Sequence, residues 1–341
     1  MRNERRGFLA TGAAALALVS GMRGAAAAPP DASLARRPAA PAARPEPALL
    51  QVQTDVLDIA YFTAGPEDGR PVVLAHDLGY DVHSFQGAAG LLARAGLRVL
   101  VPHLRGHGGT RYREADTPRS GQQAALGMDL IDFIDALHIP EAVFAGFGWG
   151  ASAARAAAAI RPTRCTGLVL ASDEGLDDGA RRERPLAPGA EAALWHQYYL
   201  QTERGRAALR ADRRAVVREI WRHATLGADG IDEAAFARAA PSFDNPDWVE
   251  TVVHAYRYRF GNAAADPRYA RAEGLLAARK PLAVPVRRLE GQRSARLAYA
   301  GEEGAGAPER IARAGHELPR DAARAFADAV AATAQAARWR T

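Results

Sequence analysis

The stretch that decides the fold is Phe-Ala-Gly-Phe-Gly-Trp-Gly, residues 144–150, in which a glycine lies two residues to each side of the central Gly148. An apolar run, Ala142–Ala145, leads into it and an alanine-rich segment, Ala151–Ile160, follows. This order predicts a buried strand, a tight turn and a helix. A G-x-nucleophile-x-G turn normally lifts one reactive side chain above a sheet. Here the central residue is glycine, so the pattern predicts the turn without its reactive group.

Short β-rich runs and helical segments alternate on both sides of this turn, which predicts a mostly parallel sheet with crossover helices. Between residues 176 and 278 the pattern is helical with scattered aromatic residues. We therefore predict a core formed by residues 49–175 and 279–338, with an all-helical cap inserted between its two halves. A ligand pocket is expected beneath that cap, at the carboxyl ends of the strands. The predicted strands lie at 52–63 (an antiparallel pair), 71–75, 97–101, 142–145, 167–171 and 284–290, and the predicted core helices at 84–95, 122–137, 151–160 and 319–338.

The N-terminus predicts export. Arg5-Arg6-Gly7-Phe8-Leu9 is a twin-arginine core, a short apolar stretch follows it, and Gly21–Ala28 contains small-residue cleavage sites. We predict a twin-arginine signal peptide over residues 1–28, recognised by the twin-arginine export machinery, and a disordered Pro/Ala linker over residues 29–48. The mature protein is then expected to be periplasmic or secreted.

Composition and spacing exclude several classes of partner. The formal net charge is +5, and loss of residues 1–28 leaves about +2 without a basic stripe, so nucleic acid is not expected as a partner. The single cysteine, Cys165, excludes an internal disulfide framework. The histidines that follow the early strands match no compact metal motif, so neither a metal nor another cofactor is expected. Those residues are His76, His103 and His107, with Asp77 beside them.

Five separated motifs follow one another between about Val52 and Ala334. They are Leu74-Ala75-His76, Leu104-Arg105-Gly106-His107-Gly108, Gly146–Gly150, Leu289-Glu290-Gly291 and Gly315-His316-Glu317-Leu318-Pro319. Together with the helical insertion, they resemble the capped α/β-hydrolases of the epoxide-hydrolase and haloalkane-dehalogenase type. The resemblance implies the α/β-hydrolase fold and a two-step reaction. An aspartate on the elbow forms an ester, and a histidine–acid pair then activates water to hydrolyse it.

Three positions depart from the family pattern. Gly148 supplies no nucleophile, and Gln292-Arg293-Ser294 stands where the acid is usual. Asp77 replaces the glycine of the family's His-Gly oxyanion loop. Its charge is expected to oppose oxyanion stabilisation, and a role as surrogate nucleophile is not favoured because the sequence leaves its direction open. Conventional covalent hydrolysis is therefore predicted to be impaired.

The remaining candidates surround this gap. His316 matches the family's base, with Asp173 or Glu174 as a substitute acid. The alternative is that both carboxylates are solvated and that His316 bonds only to backbone or water. Candidates for the oxyanion and substrate pocket are His76, Asp77 and Trp149, together with Tyr198, Tyr199 and Tyr256, which match cap tyrosines that hold an epoxide oxygen in the family. Aromatic packing of the cap onto the core is the alternative for the tyrosines.

Two functions from different classes remain open on the sequence. The first is an exported, epoxide-hydrolase-like enzyme in which His316 activates water on a small apolar substrate without a covalent step. The second is a catalytically inactive pseudoenzyme whose capped pocket binds a small molecule or whose surface binds a protein.

Overall fold

A computed structural model of the chain describes residues 48–173, 175–176, 185, 187–224, 230–294 and 307–340. The predicted signal peptide, most of the predicted linker and Glu174 lie outside these described residues. Among the helices that the structure describes, none is both long and apolar enough to cross a membrane.

The core of the described chain is one nine-stranded sheet in the order β1-β2-β4-β3-β6-β7-β8-β9, with β5 beside β2. Every pairing from β4 across to β9 is parallel, and the pairings of β2 are antiparallel. β6 and β7 are buried at every position, as expected for central parallel strands covered on both faces. The predicted α/β-hydrolase fold is confirmed. The strands are β1 (Leu50–Gln53), β2 (Leu57–Ala64), β3 (Arg70–Ala75), β4 (Leu97–Pro102), β5 (Arg111–Tyr112), β6 (Ala142–Phe147), β7 (Cys165–Ala171), β8 (Val286–Gly291) and β9 (Glu309–Ile311).

Helices pack against this sheet and form the segment inserted between β7 and β8. In the core, α2 packs beside α3 and α1 beside α11. The helices are α1 (Gln86–Arg94), α2 (Gln123–Ala136), α3 (Trp149–Ile160), α4 (Pro188–Ala193), α5 (Trp195–Tyr199), α6 (Glu203–Ala224), α7 (Glu233–Ala239), α8 (Trp248–Arg259), α9 (Ala270–Ala277), α10 (Leu318–Asp321) and α11 (Ala323–Ala336).

The structure differs from the sequence prediction where elements are short or interrupted. β5 and β9 were not predicted, because two or three residues on a sheet edge leave no periodic pattern. β8 begins after Pro285, which has no N–H to give to the sheet. The helical pattern over 233–259 is broken by Pro241, which lies in a short 3₁₀ turn. α6 is kinked at Asp212, whose carboxylate accepts a hydrogen bond from the N–H of Ala215.

A buried arginine joins the core to the segment between β7 and β8. Arg105, from the loop after β4, donates two hydrogen bonds of 2.6 Å to Asp129 on α2. It also donates to the carbonyl of Ser120 at 2.7 Å and to the hydroxyl of Tyr269, just before α9, at 2.8 Å. Its side chain is only 1% exposed, so the charge is satisfied entirely by protein groups.

We expect Arg105→Met to lower the free energy of unfolding by about 3–5 kcal/mol, because it leaves the Asp129 carboxylate buried without a partner. Urea denaturation followed by tryptophan fluorescence measures the loss. The matched control is Arg324→Met on α11, whose ion pair with Asp328 is largely exposed and is worth at most about 1 kcal/mol. Equal losses in the two variants would contradict the assignment of Arg105 as a connection between the core and the segment between β7 and β8.

Candidate active site

The turn between β6 and α3 adopts the predicted sharp geometry. Gly148 has φ +55° and ψ −124°, a backbone conformation that residues with a side chain adopt only under strain. A Cβ on Gly150 would lie 2.0 Å from the carbonyl oxygen of Ala75, so glycine there lets β3 approach the start of α3. The two glycines thus place the turn directly beside the loop that follows β3.

The space above Gly148 is filled by a side chain from that neighbouring loop. A Cβ built on Gly148 would lie 2.3 Å from Cγ of Asp77, 2.4 Å from Oδ2 and 2.6 Å from Oδ1. The carboxylate of Asp77 therefore stands where a side chain on the elbow would begin. The sequence showed a missing group at position 148, and the tertiary structure brings a carboxylate to the same place.

Two backbone N–H groups and one imidazole hold this carboxylate. Oδ1 accepts hydrogen bonds from the N–H of Leu78 at 2.8 Å and from the N–H of Trp149 at 2.9 Å. Oδ2 lies 2.8 Å from Nε2 of His316. Trp149 is the first residue of α3, so the positive end of the helix dipole also favours the anion.

The prediction that Asp77 opposes oxyanion stabilisation stays a prediction, and the structure shows where its charge lies. The N–H after the elbow residue and an N–H from the loop after β3 are the donors from which an oxyanion hole is built in this fold. In this structure those donors are Trp149 and Leu78, and both point at Oδ1 of Asp77. The carboxylate of Asp77 therefore occupies the hole itself.

His76 fixes the loop that carries Asp77 and does not line the pocket. Its Nε2 accepts a hydrogen bond of 3.1 Å from the N–H of Leu104, so the ring proton lies on Nδ1, which donates to the carbonyl of Asp77 at 2.8 Å. Burial, with His107 and His103 nearby, lowers the pKa of His76 well below its ordinary value. His76 is therefore a neutral, buried histidine that connects two loops, and it is not one of the residues that line the pocket.

His316 lies on the loop before α10 and faces Asp77. The hydroxyl of Ser172 and the N–H of Leu318 donate to its carbonyl oxygen at 3.1 and 2.9 Å. Its ring packs against Phe147 and Tyr80, with ring centroids 5.8 and 5.7 Å apart. These contacts fix the direction in which Nε2 points.

Asp173 is not the substitute acid that the sequence suggested. Its carboxylate accepts hydrogen bonds from the guanidinium of Arg155 on α3 and from the N–H of Gly175. Arg155 on the adjacent helix lies nearer to the Asp173 carboxylate than the His316 imidazole does, and it is the stronger partner. Asp173 therefore pairs with Arg155 and not with His316. Glu174, the other candidate, lies outside the described residues.

A cavity that is partly open to solvent lies above the Asp77–His316 pair. Its walls are mostly apolar and come from the loop after β3, the start of α3 and the segment between β7 and β8. Its polar side chains are few, which is typical of a site for a small, largely apolar molecule. The lining consists of Asp77, Leu78, Gly79, Tyr80, Trp149, Leu194, His196, Gln197, Leu200, Val217, Ile220, Ala224, Trp248, Val252, Tyr256 and His316.

Of the three predicted tyrosines, one lines this cavity. Tyr256 packs edge-to-face on Trp149 with centroids 5.6 Å apart, and burial, followed by the charge of Asp77, raises its pKa. Tyr198 is 40% exposed and hydrogen bonds to Glu191, and Tyr199 packs on Trp195 outside the cavity lining. The single turn of α5 directs only one face inward, so neighbouring positions on it cannot all reach the pocket.

The inward face of α5 carries residues that the sequence did not single out. His196 and Gln197 line the cavity, and Nδ1 of His196 has no hydrogen-bond partner within the described part of the chain. Burial lowers the pKa of His196 to about 4, so the ring is neutral at pH 7. Tyr80, three residues after Asp77, also lines the cavity. The sequence signal that could have identified Tyr80 was its position in the same loop as Asp77.

Glu290, at the end of β8 where the resemblance puts the loop of the acid, is buried away from solvent. One of its carboxylate oxygens lacks a hydrogen-bond partner among the residues that the structure describes. Burial raises its pKa to about 7, and a hydrogen bond from Ser294 opposes the shift. Glu290 is therefore a destabilising charge above pH 7.

We expect Gly148→Ala to lower the free energy of unfolding by about 1–3 kcal/mol, since the new methyl group meets the Asp77 carboxylate and a positive φ. The same substitution made in an Asp77→Gly background is expected to cost less, because the carboxylate is then absent. Thermal unfolding of all four proteins in this cycle measures the coupling. Additive losses would show that Asp77 does not occupy the space above Gly148.

We expect Glu290→Gln to stabilise the protein most above pH 7, by at most about 3 kcal/mol. Between about pH 4.5 and 7 the folded carboxyl keeps a proton that the unfolded chain has lost, so the cost of ionising the buried group grows with pH and then levels off. Urea unfolding of both proteins from pH 4.5 to 8.5 measures the difference. A difference that does not change with pH would contradict the raised pKa.

Comparison with known proteins places this geometry among related folds. A model of the alpha/beta hydrolase family matches residues 72–329. The crystal structure of a Klebsiella pneumoniae protein, provisionally described as an epoxide hydrolase, is 36% identical over 84% of this chain and 97% of its own, with a TM-score of 0.76. Epoxide hydrolase A from Mycobacterium thermoresistibile has a TM-score of 0.67 at 20% identity, over 86% of this chain and all of its own, and shares the fold.

Curated relatives match over shorter stretches. An epoxide hydrolase from Caballeronia sordidicola is 34% identical over 96 residues, which cover 28% of this chain and 29% of that protein. A dihydrolipoyllysine-residue acetyltransferase component of an acetoin cleaving system from Pseudomonas putida is 30% identical over 120 residues, which cover 35% of this chain and 31% of that protein. The chain thus spans less than a third of the length of these two relatives.

Proposed function

Since the chain belongs to the alpha/beta hydrolase family and has an epoxide-hydrolase-like architecture, we propose that it hydrolyses a small, largely apolar epoxide in the cavity above Asp77 and His316. The product of such a reaction is a diol. The proposal keeps the reaction class implied by the family and assigns the chemistry to the residues that face the cavity.

One observation carries the proposal: the Asp77–His316 pair at the floor of an otherwise apolar cavity. Burying a carboxylate and an imidazole costs several kcal/mol unless partners are supplied, and here two backbone N–H groups supply them. A module that only binds apolar molecules has no need of this pair. The pair therefore favours an enzyme over the pseudoenzyme alternative.

The cavity supplies the other groups that epoxide opening requires. Tyr256 carries its proton at pH 7, as a tyrosine with the ordinary pKa of about 10 also does, and burial raises its pKa further. Its hydroxyl can donate to the epoxide oxygen. Nε2 of His316 can accept a proton from water once Oδ2 of Asp77 is engaged elsewhere. The N–H groups of Leu78 and Trp149 stabilise the negative charge on Oδ1 of Asp77. The apolar walls exclude bulk water and strengthen each of these interactions.

We further propose that the protein works outside the cytoplasm, after export by the twin-arginine route. The support is the order of a twin-arginine core, a short apolar stretch and small-residue cleavage sites in the first 28 residues. A chain with one cysteine needs no oxidising compartment to fold, which suits a route that carries folded proteins.

We expect the mature protein to convert simple aryl and alkyl epoxides to diols, measured by chromatography of the products. His316→Ala is expected to lower kcat/KM by about 10²–10⁴-fold, because the proton acceptor for water is lost. Tyr256→Phe is expected to lower kcat through loss of the donor to the epoxide oxygen. The control is His223→Ala, at the exposed end of α6, which should leave the activity unchanged.

Haloalkanes and aryl esters belong in the same assay, because they test the choice of epoxide within the reaction class. No turnover of any of the three classes by the wild type, together with tight binding of an aromatic probe in the cavity, would favour the binding function instead. Turnover that survives in His316→Ala would remove His316 from the mechanism.

A further inference from the structure

We infer that Asp77 is the nucleophile of this enzyme: the attacking carboxylate has been relocated from the elbow position, now Gly148, to the loop after β3. The inference rests on the proposed function, because it assigns the covalent step within that reaction. It replaces the water-only mechanism that the empty elbow suggested.

The first support is that the two positions compete for one space. All three carboxyl atoms of Asp77 lie within 2.6 Å of the point where a Cβ on residue 148 would stand. A side chain at position 148 would force the Asp77 carboxylate out of its present position. The glycine on the elbow and the aspartate on the loop are therefore complementary, and the site retains one carboxylate.

The second support is the orientation of the two oxygens. Oδ1 is held by the N–H groups of Leu78 and Trp149, whereas Oδ2 faces His316, and Asp77 lines the cavity. When Oδ2 forms an ester, Oδ1 becomes the carbonyl oxygen of that ester. It already lies at the two donors that would stabilise the charge of a tetrahedral intermediate.

The third support is that the loop is rigidly held. His76 donates to the carbonyl of Asp77, and Nε1 of Trp221 on α6 donates to the carbonyl of Gly79 at 2.7 Å. The side chain is thereby fixed from both ends of a three-residue segment. A nucleophile must be held in one direction to attack efficiently, and this loop provides that as the strained elbow does elsewhere in the family.

The reaction proceeds in two steps through an ester on Asp77. Oδ2 of Asp77 attacks one epoxide carbon, the C–O bond of the ring breaks, and the oxygen that leaves takes the proton of the Tyr256 hydroxyl. In the resting pair Nε2 of His316 carries the ring proton, because the Asp77 carboxylate can only accept. Once Oδ2 is esterified, this proton moves to Nδ1; in the second step Nε2 takes a proton from water, and the resulting hydroxide attacks Cγ of the ester. The tetrahedral intermediate collapses with cleavage of the ester C–O bond at Cγ, and the diol oxygen takes the proton from His316. The acid proton left on Asp77 returns to the phenolate of Tyr256.

The first experiment traps the ester. His316→Gln is incubated with styrene oxide, and the peptide containing residues 77–81 is examined by tandem mass spectrometry. We expect an adduct of one epoxide per chain on Asp77 and none in Asp77→Asn, which keeps the hydrogen-bonding shape without the nucleophile. Asp81 is the internal control, because it is buried in the same loop and its Oδ2 lies 2.7 Å from Nδ1 of His83, yet it does not line the cavity.

The second experiment follows oxygen in a single turnover of the wild type in oxygen-18 water with enzyme in excess. If Asp77 is the nucleophile, the first diol carries no label and the label is found in the Asp77 carboxylate. If His316 instead delivers water directly, the first diol is labelled and Asp77 is not, which overturns the relocation but leaves the hydrolase intact. An adduct on Asp77 without any turnover supports the nucleophile and contradicts the proposed hydrolysis. No adduct and no turnover contradicts both.

A swap variant tests the relocation itself. In Asp77→Gly/Gly148→Asp the carboxylate returns to the elbow, and the loop regains the His-Gly pattern of the family. We expect Asp77→Gly alone to lose ester formation and the double variant to recover it, with the adduct now mapped to position 148. Recovery with no adduct at that position, or an adduct in Asp77→Gly alone, would overturn the inference.

Discussion

The contact of the Asp77 carboxylate with two backbone N–H groups, above a residue that has no side chain, determines the rest of the site. The N–H of Trp149 opens α3, and Gly148 before it offers no capping group, so the acceptor must come from another loop. Asp77 provides that acceptor and presents its other oxygen to His316. Any side chain at position 148 would remove the carboxylate, and the helix terminus and the imidazole would then both lose a partner.

This contact exists because of the parallel sheet. β3 and β6 are hydrogen-bonded neighbours, with Ala75 opposite Gly146, so the loops that leave their carboxyl ends lie side by side. Residues separated by about seventy positions thus meet without a long connection. His76 connects the same loop to Leu104 in the loop after β4, and Ser172 after β7 holds the carbonyl of His316. Four adjacent strand ends therefore position one pair of side chains.

The helical segment between β7 and β8 supplies walls on the other side of this pair. Trp221 donates to the loop after β3, and Trp248 donates from α8 to His107 at 3.0 Å. Arg105 adds a buried connection from the core to Tyr269. A carboxylate beneath apolar walls interacts more strongly with its few partners than it would in water, which favours both its fixed direction and its reactivity. The segment between β7 and β8 contributes a neutral His196 and a protonated Tyr256 to the lining.

The sequence by itself determined the α/β-hydrolase fold, the sharp turn at Gly148 and the place of His316. Hydrophobic periodicity, glycine spacing and the order of the elements along the chain can be read from the sequence without knowledge of long-range contacts. It also marked Asp77 and Tyr256 as candidates. It could not determine that Asp77 stands in the space of the elbow side chain, that Arg155 takes Asp173, or that Tyr198 faces solvent. Those outcomes depend on side-chain direction and on which loops the sheet brings together. Only the tertiary structure decided them, because a contact between positions 77 and 148 is set by strand pairing and not by any pattern within either segment.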